Sequence, residues 1–270
     1  MMKTSRYSTL RWGLSTLGCP DFDLPRAVEL ADSYGIDSLE IRTLNGSVDC
    51  GKTLYLPENE PVMRRIAGEG RCHVLDSSFG LCARKEGDRE LLEAVARTAD
   101  DFGIPYIRVF GGGTFGEPLD DARIGNAREN LAWYHAQGFR AVPALETHDL
   151  CSSAVFCARL QEACGEKIPV IWDAHHTFQV AGEPFEESFR ILRENIVGIH
   201  FKDSNPVVKN GTKTWEYTVL GQGVVPLAEL FGLLEREGVR VPVTLEHEKF
   251  WRPNLPDIRV MLDSLLELVR

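Results

Sequence analysis

The chain has 270 residues with 30 Lys and Arg against 40 Asp and Glu, a formal net charge of -10. That surplus argues against a nucleic-acid partner, because such binding draws its affinity from clustered cations on phosphates. A hydrophobic fraction of 43% is that of a globular chain, no apolar segment approaches the roughly 18 residues of a membrane span, and seven cysteines without a Cys-x-x-Cys pair argue against a disulfide framework or a zinc ribbon. Met1 to Arg6 is positively charged, but Tyr7 to Cys19 mixes Ser, Thr, Arg and Gly where a secretory signal needs an apolar run, so the reading is a cytoplasmic protein.

In chain order, Leu10 to Leu17 reads as a strand, followed by a helix with Leu24, Ala27, Val28, Ala31 and Tyr34 on one face, capped by Asp21 or Asp23 and closed by Gly35. Ser38 to Arg42 alternates, which puts Leu39 and Ile41 on one face and Glu40 and Arg42 on the other. A weaker helix spans Glu58 to Ala67, a third strand Cys72 to Asp76, and a strong helix Asp88 to Phe102. In the fourth strand, Tyr106 to Phe110, Arg108 points inward and requires an acceptor, either Glu40 or a metal-ligating carboxylate. Gly111 to Gly113 follow as a tight turn, with a phosphate cradle as the alternative. Helices around Asp121 to Ala136, Cys151 to Cys164 and Glu183 to Arg193 flank three more strands. Two further helices show stripes at Leu227, Leu230, Phe231, Leu234 and at Ile258, Met261, Leu262, Leu265, Val269.

The strands begin near residues 11, 37, 72, 105, 141, 169, 197 and 242, so a strand-helix unit recurs about every 30 residues. The expectation is one (β/α)8 TIM barrel domain over residues 1–270, with parallel strands and right-handed crossovers. The longest irregular stretch falls between Asp203 and Pro226, at the end where barrel active sites lie.

Four apolar runs in the second half stop at ligand-type residues: Ala141 to Leu145 at Glu146, Pro169 to Trp172 at Asp173, Ile196 to Ile199 at His200, and Val241 to Leu245 at Glu246. Each alone reads as a polar strand end. Alternation points all of them inward at the carboxyl ends of consecutive strands, where three carboxylates would repel one another without a cation. One imidazole and several oxygens suit an octahedral Mn²⁺, Mg²⁺ or Co²⁺, with Zn²⁺ also compatible.

Leu145-Glu146-Thr147-His148, Trp172-Asp173-Ala174-His175-His176, Gly198-Ile199-His200-Phe201-Lys202-Asp203, Leu220-Gly221-Gln222-Gly223 and Leu245-Glu246 together resemble the xylose isomerase-like barrel superfamily. Within it the sequence is most similar to the sugar phosphate isomerase/epimerase group related to D-tagatose 3-epimerase. The resemblance implies that Glu146, Asp173, His200 and Glu246 bind a divalent cation, and that His176 touches a small sugar or sugar-phosphate substrate. It further implies that Glu146 and Glu246 face each other across that substrate, one removing a proton beside the carbonyl and the other returning it through an enediolate. Homodimers or homotetramers are the expected assemblies.

Around this core, Lys202 reads equally as a cation for an oxyanion or phosphate and as a solvated partner of Asp203. His148 orients Glu146 or meets substrate, and Arg252 is a substrate contact after the last strand. His175 and His247 have the wrong parity for the site, and Cys151 and Cys157, six apart on a helix but not on one face, receive no chemistry. The alternatives are a dehydratase of the inosose or dehydroshikimate type, an endonuclease IV-like nuclease, and a non-catalytic binding barrel.

Overall fold

The computed structural model describes residues 5–209 and 211–270, so Met1 to Thr4, part of the signal-peptide reading, lie outside the described residues. Eight parallel strands close a barrel: β1 (Arg11–Ser15), β2 (Ser38–Ile41), β3 (Cys72–Gly80), β4 (Tyr106–Phe110), β5 (Val142–Glu146), β6 (Val170–Asp173), β7 (Ile196–Phe201) and β10 (Pro242–Leu245). β10 pairs with β1 through Trp12↔Val243 and Gly13↔Thr244, which completes the ring. The helices α1 (Leu24–Tyr34), α3 (Glu60–Gly68), α4 (Asp88–Phe102), α5 (Asp121–Gln137), α6 (Ala154–Cys164), α7 (Phe185–Leu192), α8 (Leu227–Arg236) and α9 (Ile258–Leu268) are the outer layer, with a short α2 (Cys50–Thr53) before α3. Among the described residues no helix is long and apolar enough to cross a membrane.

Local chemistry fixes these boundaries. Asp23 accepts a hydrogen bond from Arg26 N-H at the start of α1, and Gly35, at φ 74°, ends it in the left-handed region. The main core lies between strands and helices, with Trp12, Phe201 and Phe231 meeting edge to face. A second, smaller cluster of Val74, Ala144 and Ile171 fills the barrel below the mouth. There Gly13 is required by space, because a Cβ would sit 2.5 Å from Thr244 Oγ1.

The segment expected to be irregular between Asp203 and Pro226 contains an antiparallel hairpin, β8 (Asp203–Lys209) with β9 (Thr212–Thr218). Its neck is fixed by Asp203, whose carboxylate accepts hydrogen bonds from the N-H groups of Ser204, Gly221, Gly223 and Val225 at 2.8–3.1 Å. β3 also runs to Gly80, beyond the expected end at Asp76, because Gly80 pairs again with Phe110 past a register shift. Cys151 belongs to a separate 3₁₀ turn (Asp149–Cys151); α6 starts at Ala154, where Ser153 caps it. That turn brings the Cys157 thiol to within 3.2 Å of the Cys151 carbonyl oxygen, although the spacing put the two cysteines apart.

At the opposite end of the barrel from the four strand-end residues, His73 sits 2.9 Å from the Arg11 guanidinium. Burial, then the Arg11 charge, lowers the His73 pKa from 6.5 to about 4. The unfolded chain therefore binds the extra proton first, and the stability this gives is present above about pH 6.5 and is lost as pH falls toward 4. His73→Gln keeps an acceptor for Arg11 without titrating. Its melting temperature is expected to fall less than that of the wild type between about pH 7 and about pH 5, and equal slopes would show that His73 is not a source of the acid sensitivity.

Candidate metal centre

The carboxyl ends of β5, β6, β7 and β10 bring Glu146, Asp173, His200 and Glu246 together, with one ligand atom from each within 4.8 Å of the others. All four are buried, at 0–4% exposure. Asp173 pairs directly with His200, whereas Glu146 pairs with Ile171 and His200 with Thr244, each two residues short of the next cluster member, and the stagger of tilted strands in a closed barrel brings the four to one level.

Each side chain is held from behind. His200 Nδ1 lies 3.3 Å from Glu146 Oε1 and 3.7 Å from Glu246 Oε2, while Nε2 comes within 2.8 Å of Glu40 Oε1, off the line of a hydrogen bond. A carboxylate behind the far nitrogen is the arrangement that orients a metal-binding imidazole. Asp173 Oδ1 accepts the His176 N-H at 3.1 Å, leaving Oδ2 2.9 Å from Lys202 Nζ. Arg108 Nη1 bridges Asp76 (3.3 Å), Glu146 (3.2 Å) and Glu246 (3.4 Å), and Nη2 donates to the Ser77 carbonyl oxygen. The acceptors of Arg108 are thus carboxylates of the cluster, and Glu40 serves His200.

The charges decide what the centre can do. Glu40, Asp76, Glu146, Asp173 and Glu246 share the buried mouth with Arg42, Arg108, Lys202 and His200, whose pKa Glu40, Glu246 and Glu146 raise well above 6.5 against the effect of burial, which leaves one negative formal charge over. The half-buried Glu248, paired to Lys202 at 3.0 Å, adds one more. Burial pushes Asp76 well above the ordinary carboxylate range, and protonation there removes one. Burial alone would raise Glu146 and Glu246 as well. Arg108 and His200 outweigh it at Glu146, Lys202 does so at Glu246, and both are held below the ordinary range, ionised at neutral pH. Glu146 Oε2 and Asp173 Oδ2 are buried without a hydrogen bond. A hard oxygen set with one imidazole therefore fits a divalent metal ion.

The other residues singled out in the sequence line the mouth. Lys202, 3% exposed, donates to Glu246 and reaches Asp173 and Glu248. Its partner is not the neighbouring Asp203, which is used by the hairpin neck, so the solvated-pair reading fails. His148 packs between Phe110 and His176, with ring centroids 4.7 and 4.3 Å away. His176 Nδ1 lies 3.2 Å from the Thr147 carbonyl oxygen. Arg252 sits at the rim over the Tyr217 ring, 4.6 Å from its centroid, and 3.4 Å from Glu248. A cavity of about 350 Å³ touches His148, Arg252, Arg108 and Glu246. His175 lies 2.8 Å from Ser204 Oγ, and His247 bonds the Pro256 carbonyl oxygen, both away from the cluster. The Gly112 N-H is taken by Asp149 Oδ2 and the Thr114 N-H by Glu117 Oε2, so two of the donors a phosphate cradle would use are occupied by acids. Sequence reasoning passed over Asp76, although it follows Val74-Leu75 as the four clustered residues follow their own runs. It also passed over Tyr217 and Glu248.

The model of a family described as xylose isomerase-like TIM barrel matches residues 28–268. No curated protein sequence matches the chain. Among solved structures, the probable 3-DHS dehydratase AsbF from Bacillus anthracis superimposes with a TM-score of 0.71 at 19% identity, covering 95% of this chain and 99% of that one. The IolI protein with a bound zinc atom gives 0.70 at 16%, covering 96% and 98%. A D-tagatose 3-epimerase-like protein gives 0.68 at 18%, covering 96% of each chain. At these identities the likeness is one of fold.

Proposed function

Because the chain belongs to the xylose isomerase-like TIM barrel family, we propose that it is a divalent-metal-dependent isomerase or epimerase of a small sugar or sugar phosphate, working by proton abstraction beside a carbonyl. The observation that supports this most is the buried cluster of Glu146, Asp173, His200 and Glu246, three carboxylates and one imidazole with ligand atoms within 4.8 Å of one another. Solved neighbours named as an epimerase-like protein and as a zinc-bound protein agree with it.

In this reading Glu146, Asp173, His200 and Glu246 hold one Mn²⁺, Mg²⁺, Co²⁺ or Zn²⁺. A cation there would act as a Lewis acid, polarising a substrate carbonyl and favouring loss of the neighbouring proton. The chain's own residues do the rest. Glu146 and Glu246 reach the centre from β5 and β10, and Arg108 at Glu146 and Lys202 at Glu246 keep them ionised and able to take up a proton. Lys202 beside Glu246 is placed to stabilise negative charge that develops on a substrate oxygen. His148 and His176, tilted against each other at the mouth, are substrate contacts, and Arg252 over Tyr217 closes the rim.

The test is proton exchange in D₂O: metal-loaded protein with a panel of ketoses, ketose phosphates and cyclic ketones, followed by NMR. Deuterium in a stereoisomer or carbonyl-shifted product is the expected result, and an unsaturated product would replace this reading with a dehydratase. Chelation should abolish exchange and added Mn²⁺ should restore it; activity that survives chelation would contradict metal dependence.

A further inference from the structure

The cavity beside the metal centre is touched by three arginines, Arg42, Arg108 and Arg252, and two of them are already paired. Arg108 is used by Asp76, Glu146 and Glu246, and Arg252 leans on Glu248. Arg42 differs. It is 5% exposed, and none of the described carboxylates comes within ion-pair distance of it. Its Nη2 donates to Ser78 Oγ at 2.7 Å, while its Nε is buried without an acceptor. Trp251, 55% exposed, lies on the other side with its ring 5.7 Å from the guanidinium carbon.

A guanidinium keeps its proton when buried, so its desolvation must be offset by an acceptor. Buried donors that find none within the protein, on the wall of a cavity, mark a place where a ligand supplies it. We propose that Arg42 and Ser78 form the subsite for an anionic oxygen group of the substrate, a carboxylate or a phosphate, so that the enzyme takes an acidic sugar derivative and not a neutral sugar. This rests on the reading of the barrel mouth as the substrate site. The planar fork of one arginine matches a carboxylate in two parallel hydrogen bonds. The N-H groups of Gly112 and Thr114, already taken by Asp149 and Glu117, add no second cradle of the kind a phosphate uses.

The test titrates Mn²⁺-loaded protein with acetate, inorganic phosphate and uncharged acetamide, read by tryptophan fluorescence, for the wild type, Arg42→Gln, Arg42→Lys and Ser78→Ala. Saturable binding of an anion to the wild type is expected, with none for acetamide. Arg42→Gln should weaken it at least about tenfold and Arg42→Lys should recover part of the loss, as a charge-assisted bond requires. Tighter acetate binding identifies a carboxylate site, and tighter phosphate binding a phosphate site. Equal anion affinity in wild type and Arg42→Gln, or no saturation of the wild type by either anion, overturns the proposal. Metal content measured on the same samples keeps the two readings apart: Arg42-dependent anion binding without bound metal would remove the proposed reaction and leave the subsite, and bound metal without it would do the reverse.

Discussion

Glu246→Gln is expected to leave the barrel folded and to lower turnover by about 10²–10⁴-fold, the range for removing a positioned base. The amide is nearly isosteric and can still accept from Lys202, which keeps Asp173 and Glu248 as charged partners. What it cannot do is take up a proton at neutral pH. The measurement is kcat with saturating Mn²⁺, so that weaker metal binding is separated from loss of the base, together with deuterium exchange at the substrate carbon. A variant with near wild-type kcat would show that Glu246 only helps to hold the metal.

Arg108→Met should have the largest effect on stability. The guanidinium is 3% exposed and serves Asp76, Glu146 and Glu246 at 3.2–3.4 Å while packing over the Phe110 ring. Methionine fills much of the volume but leaves those carboxylates buried without their shared cation, a change that costs about 3–5 kcal/mol in comparable sites. For a chain of this length that corresponds to a melting temperature lower by about 10 °C. A divalent ion replaces part of the lost charge, so the metal-loaded variant should lose less than the metal-free one. Urea unfolding of both forms checks this, and a loss below about 1 kcal/mol in the metal-free form would mean that the carboxylates take up protons instead.

The fold was legible because each of its signals is local. Apolar runs of strand length, helix stripes such as Leu92, Ala99 and Phe102, and glycines such as Gly35 and Gly103 at helix ends all act within a few residues. Parity was local too, and it placed Glu146, Asp173, His200 and Glu246 on the inner face before any register was known. Parity does not say which inward residues share a height or meet across the barrel. Parity therefore left Arg108 with either Glu40 or a metal-ligating carboxylate as its acceptor, and the closed ring decides for Glu146 and Glu246 and sets Glu40 behind His200. Asp76 carried the strand-end signal but sits in the first half of the chain, where no neighbouring motif drew attention to it. The hairpin was legible and was missed: Thr212 to Thr218 carries Thr212, Thr214, Trp215, Tyr217 and Thr218, and Asn210-Gly211 stands between it and Val207-Val208. The isolation of Arg42 depends on where every carboxylate ends up, which no local pattern encodes.

The most direct test of the account is the metal content of purified protein dialysed against Mn²⁺, measured by mass spectrometry for the wild type, His200→Gln and Asp173→Asn. About one ion per wild-type chain and far less in either variant is the expected result, since the four residues form a single centre. A wild type that holds no divalent ion, or variants that hold as much as the wild type, would contradict it.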